Sequence, residues 1–216
     1  MFLGHFGLAY ATKRIAPTVS LGTTFFAAQL ADLMWPVLLL TGSETVVIDR
    51  DAPQPLVLDF TSYPYSHSLA MLTVFGVLVG AIHFGVRRRL ADAIVVALLV
   101  PSHWILDWIV HVPDLPLAPD TAARYGLGAW RSLPLTLGLE LVLFGGGYFV
   151  YTTVTTARDR IGKWGSLGLV AFLAVAYAAS YAGAPPSVTA LAATALLLWI
   201  LVPWAAWTDR HRSASP

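Results

Sequence analysis

Apolar residues occur in this chain as long blocks separated by short polar connections. A helix that crosses a bilayer needs about 20 predominantly apolar residues, and six blocks reach that length: Val19 to Gly42, His67 to Val86, Leu90 to Val112, Leu133 to Thr153, Gly165 to Gly183 and Val188 to Trp207. The pattern predicts an all-α polytopic bundle of six transmembrane helices, one integral membrane domain over residues 1–216. A seventh apolar segment, Met1 to Tyr10, runs into Lys13 and Arg14 and is too short to cross, so it predicts a short N-terminal helix. Its cations follow the apolar run, the reverse of a cleavable signal peptide.

Composition agrees. Hydrophobic residues make up 57% of the chain and charged residues 12%, about half the charged share of an ordinary soluble domain, which argues against a soluble globular protein. There is no Cys, so any metal must be held by His, Asp or Glu. The formal net charge of +1 offers no broad basic face, and no nucleic-acid partner is expected. Lys13/Arg14, Arg87/Arg88/Arg89, Arg158/Arg160/Lys163 and Arg210/Arg212 fall at every second connection, which puts that face and the C-terminus in the cytoplasm. The long connections Ser43 to Ser66 and Pro113 to Ser132 carry Glu44, Asp49, Asp51, Asp59, Asp114 and Asp120 and read as ordered caps on the outer face.

Ionisable groups inside membrane spans are costly and normally mark a functional interior. Counting about 1.5 Å of rise per residue from the cytoplasmic cations, Asp32, His103, Asp107 and Glu140 share the outer half of the bilayer, with His67 and His111 at its outer mouth. His103, Asp107 and His111 are spaced four apart and project from one helical stripe. His and Asp at that spacing chelate a divalent ion, zinc best, and Asp32, His67 and Glu140 approach from other spans, so the pocket suits one ion or two. The same residues also suit a hydrogen-bond network that only joins helices. Ser66 is the expected N-cap of the second span, with His67 beside it. His5 lies about 12 Å above the inner interface if its segment is helical, below the pocket. His83, His211 and Asp92 are expected at the inner surface without chemistry.

The order His5, Asp32, Tyr65-Ser66-His67-Ser68-Leu69 and Ser102-His103-x-x-x-Asp107 resembles the bacterial membrane-bound metal-dependent hydrolase family, which is distantly similar to zinc-dependent phospholipase C and the zinc single-strand nucleases. The resemblance covers about residues 1–145 and leaves 146–216 as a helical packing region. It implies that Asp32, His67, His103 and Asp107 form one complete metal site, that His5 shares a bridging Asp with a neighbouring metal, and that the membrane is a bacterial inner membrane. Thr136 stands where that pattern has a His four residues before a Glu, so one or two metals are implied. Three functions follow as expectations. The first is a phospholipase C-like hydrolase acting on a phosphoester, or related bond, of a lipid or amphiphile at the outer face. Glu140, His111 or Asp114 would act as base or support, and Arg131 would meet an anionic head group. The second is a divalent-metal transporter or sensor using the same ligands. The third is a helix-packing protein without chemistry, in keeping with the small residues of the last two spans.

Overall fold

The computed structural model describes residues 1–214. Among the described residues five helices are long and apolar enough to span a membrane: α4 (Leu69–Arg87), α5 (Leu90–Val110), α6 (Leu133–Val154), α7 (Arg160–Ser180), and a last segment over Val188–Arg210 made of α8 (Val188–Ala195) and α9 (Leu198–Arg210). The first expected span differs from a simple rod. It is a pair of helices, α2 (Leu21–Ala28) and α3 (Leu30–Leu40), bent by 53° at Gln29, and it supplies the sixth span only if the pair is counted as one. All of this is the helical membrane bundle that the apolar blocks predict.

The short N-terminal helix α1 (Leu3–Ala11) lies in the interior. Leu3, Gly4, His5, Phe6, Gly7, Ala9 and Tyr10 are all buried, against α2 on one side and α6 on the other. Between α1 and α6 the backbones nearly touch: a Cβ added at Gly147 would stand 1.9 Å from the Gly7 carbonyl oxygen, and one added at Gly7 would stand 2.3 Å from that of Leu143. Small residues are what permits such an approach between membrane helices, where lipid tails leave no hydrophobic drive to pull them together. Gly76 and Gly80 do the same for α4 against α5, meeting the carbonyls of Ala97 and Ala93.

The four cationic connections gather at one end. Buried Lys13 donates from Nζ to the carbonyls of Pro17 and Val19 and to Asp209 Oδ2 at 2.9 Å, and Asp209 also accepts from Leu21 N and the Tyr151 hydroxyl. Strand β5 (Thr155–Ala157) pairs antiparallel with β6 (Arg212–Ala214), Asp159 bonds His211 at 2.6 Å, and Asp92 meets Thr18.

At the opposite end the two long connections are ordered. The antiparallel strands β1 (Thr45–Ile48) and β2 (Leu58–Ser62) make one hairpin, and the short strands β3 (Leu115–Pro116) and β4 (Arg124–Tyr125) a second. Tyr63 O–H to Asp114, Ala70 N–H to the Leu117 carbonyl and Trp104 Nε1–H to the Pro116 carbonyl tie them to the bundle.

The glycine contact makes a specific demand. Gly147→Val should displace α1 and lower the unfolding temperature in detergent by several degrees, as overpacking by about 1–3 kcal/mol does. Gly145→Ala, in the same helix but with open space at its Cβ position, should leave it within about a degree of wild type. Equal effects of the two would show that the close approach is not limiting.

Candidate metal centre

The site is assembled on α5. His103 and Asp107 are one turn apart and both buried, so they face the same side of the helix. Asp32 comes from the first turn of α3, His5 from α1, and His67 from the turn that precedes α4. Ser66 is not the cap of that helix. Ser68 is, accepting from Met71 N, while Ser66 and His67 lie outside it.

Distances separate two sides of the Asp107 carboxylate. Oδ2 lies 3.2 Å from His103 Nε2, 3.8 Å from His67 Nε2 and 3.9 Å from His111 Nε2. Asp32 Oδ1 in turn lies 3.4 Å from His67 Nε2 and 3.7 Å from His103 Nε2. Oδ1 of Asp107 faces the other way, 3.1 Å from His5 Nε2 and against the Met1 amino nitrogen. The His5 and His103 rings stack at 3.7 Å.

Each of three histidines is held by its far nitrogen. His103 Nδ1 is 2.8 Å from the Ala28 carbonyl and must donate to it, because a carbonyl only accepts. Ala28 ends α2, so its carbonyl has no following turn to supply a donor. His111 Nδ1 is 2.9 Å from Asp114 Oδ1, which also accepts from the Tyr63 hydroxyl at 2.8 Å. Burial and the Asp114 charge push the Tyr63 phenol well above its ordinary range, so it stays a donor. His67 Nδ1 is 2.7 Å from Ser66 Oγ. In all three the Nε2 lone pair is left for the cluster, the arrangement that polar neighbours impose on ligating histidines.

A divalent ion fits this group. In tetrahedral zinc sites the N and O ligands lie roughly 2.0–2.2 Å from the ion, so neighbouring ligand atoms stand about 3.3–3.6 Å apart. Among the described residues two buried groups of three offer ligand atoms within 4.8 Å of one another, Asp32 with His67 and His103, and His5 with His103 and Asp107; in the first, the two imidazoles stand 3.4 and 3.7 Å from the Asp32 carboxylate, longer than the usual N–H···O distance. His103 Nε2 is fully buried and has no hydrogen-bond partner among the described residues. A buried orphan nitrogen aimed at two carboxylates asks for a ligand. Since its Nδ1 is committed to Ala28, His103 can serve one ion only.

Several expected residues occupy other places. Glu140 is buried beside the cluster, but its two oxygens accept the amides of Phe2 and Gly4 at 2.7 Å each. It thus neutralises the free amides at the start of α1, where a carboxylate also suits the helix dipole. Arg131 is exposed and has no carboxylate partner among the described residues. At the hairpin end it is Arg124 that lines a small cavity, about 50 Å³, beside Tyr63. His83 is half-buried with Nε2 shielded from water, and His211 is paired with Asp159. Sequence reasoning missed Glu44: it is 1% exposed and accepts from the amides of Tyr65 and Ser66 and from the Ser66 hydroxyl. Nothing in the run of acids along its connection distinguishes it.

The Glu140 geometry predicts that Glu140→Gln weakens the anchoring of α1 while sparing the ligands. Losing one charge-assisted amide bond costs about 1.5–3 kcal/mol, read as a fall of several degrees in unfolding temperature. Metal content should match wild type. An emptied site in a fully stable variant would instead make Glu140 a ligand.

No family model, curated protein or solved structure matches this chain.

Proposed function

We propose that the chain is an integral-membrane hydrolase that holds one divalent ion, zinc by its donor set, between Asp32, His67, His103 and Asp107, with His5 steadying the opposite oxygen of Asp107. The observation that carries this reading is the orphaned Nε2 of His103, which belongs to a buried group with Asp32 and His67 and also lies 3.2 Å from Asp107. Mixed imidazole and carboxylate donors without thiolate suit zinc better than the softer or purely oxygen-bound ions. Such an ion supplies Lewis acidity to a phosphoryl or acyl oxygen and acidifies water at the site.

The remaining groups divide the work. His111, oriented through Nδ1 by Asp114 and Tyr63, keeps a free Nε2 at the edge of the cluster, where it takes the proton of an attacking water and returns it to the leaving group. Glu140 positions α1. The cation-rich end faces the cytoplasm by the positive-inside rule, so the cluster, beneath the two hairpins, opens to the outer face of a bacterial inner membrane. A head group reaching that depth belongs to a lipid or amphiphile, and Arg131 and Arg124 supply positive charge for an anionic one.

A second reading has its own observation. The 53° break in the first span stands next to the cluster, and both side-chain polar atoms of buried Gln29 at that break are unpartnered among the described residues. Interrupted membrane helices commonly form transit sites for ions. The ion would then be cargo.

Element analysis and hydrolysis of a chromogenic phosphoester by the purified protein separate these readings. One equivalent of zinc is expected in wild type and little in His103→Ala or Asp107→Ala, with His83→Ala unchanged. His111→Ala should keep the metal and lose about 10²-fold or more in rate. Metal uptake into proteoliposomes without hydrolysis favours transport, and a metal-free wild type sinks both. Single-Cys labelling tests the orientation: position 51 should label from outside and position 88 should not.

A further inference from the structure

Glu44 is buried, belongs to the outer hairpin connection, and touches no ligand atom itself. Its Oε1 accepts the amides of Tyr65 and Ser66 at 2.8 Å each, and its Oε2 lies 2.6 Å from Ser66 Oγ. The same Oγ lies 2.7 Å from His67 Nδ1. A hydroxyl has one proton to give and lone pairs to accept. With the proton committed to the carboxylate, Ser66 Oγ can only accept from His67, which fixes the ring proton on Nδ1. His67 Nε2 is then bare, 3.4 Å from Asp32 and 3.8 Å from Asp107.

We propose that Glu44 is a positioning residue of the metal centre, setting the tautomer of His67 through the Ser66 hydroxyl. The proposal rests on the metal-binding reading above. It gives the hairpin a chemical role, because the carboxylate that orders the turn before α4 also decides which nitrogen of His67 faces the ion. It also explains why an acidic residue is buried in a connection whose other acids are mostly exposed.

Glu44→Gln is the informative change, since it keeps the shape and reverses the polarity. The amide oxygen still accepts from the two backbone N–H groups, and the amide NH₂ now donates to Ser66 Oγ. The hydroxyl must turn to His67 Nδ1, and the ring proton moves to Nε2, where it opposes coordination. Titration of the metal-free protein with Co²⁺, followed by its visible absorption, should show affinity about 10–100-fold weaker, the usual scale for losing a polar neighbour of a ligand, with an altered band shape. Ser66→Ala should weaken binding to a similar degree while leaving both amide bonds to Glu44. The double variant should be no worse than Ser66→Ala alone, because the two act in series. Ser68→Ala, which removes the α4 cap, should lower stability without moving the affinity. Wild-type affinity in Glu44→Gln, or additive losses in the double variant, would overturn the proposal while leaving the metal site standing. A wild type that binds no Co²⁺ would overturn both. If Glu44→Gln does not fold, unchanged affinity in Ser66→Ala is sufficient to reject it.

Discussion

Two carboxylates, Asp32 and Asp107, lie inside an apolar bundle, and their cost organises the molecule. On insertion scales each such charge is unfavourable by roughly 2.5–3.5 kcal/mol at the membrane centre. The architecture answers by bringing four imidazoles to them from three places in the chain, with His111 at the C-cap of α5. α5 presents His103 and Asp107 on one stripe, α3 brings Asp32, the turn before α4 brings His67, and α1 brings His5 from within. Each imidazole that approaches creates a new obligation, because its far nitrogen is also buried. The Ala28 carbonyl, Ser66 and Asp114 discharge three of these. His5 Nδ1 stays without a partner among the described residues.

Much of this was legible in the residues. Long apolar blocks announce spans because a helix is the one open-ended structure that satisfies its own backbone in lipid. The four-residue spacing of His103, Asp107 and His111 marks one face, and the shared depth of Asp32, His103 and Asp107 marks one level. What stayed hidden depends on contacts distant in sequence. Glu140 sits at the right depth to be a ligand or base, yet it serves amides 136 and more positions away. Glu44 looks like any other acid of a polar connection until the turn at Tyr65 and Ser66 folds over it. Apolar length alone also carries no sign of the break at Gln29, since α2 and α3 are each as apolar as a continuous span.

The placement of α1 shows how packing and chemistry share residues. A helix of nine residues cannot cross a membrane, yet it can fill the middle of a bundle if its neighbours let it in. Gly7 and Gly147 provide the entry, and Glu140 receives the exposed amides at its start. Without the first, His5 would stand too far from Asp107. Without the second, unsatisfied N–H groups would face the cluster and compete for the same carboxylate.

The bend between α2 and α3 ties the shape of a span to the electronics of a ligand. A continuous helix would spend the Ala28 carbonyl on the amide one turn ahead, and His103 would have to look elsewhere for its Nδ1 acceptor. Because the helix stops there, the angle of the span and the basicity of His103 Nε2 become one variable. Straightening the hinge would withdraw the carbonyl, swing Asp32 with the first turn of α3, and disturb two members of the His/Asp cluster together. A force that changes the angle of this span would therefore be felt at the cluster as a change in donor strength, with no need to reach it.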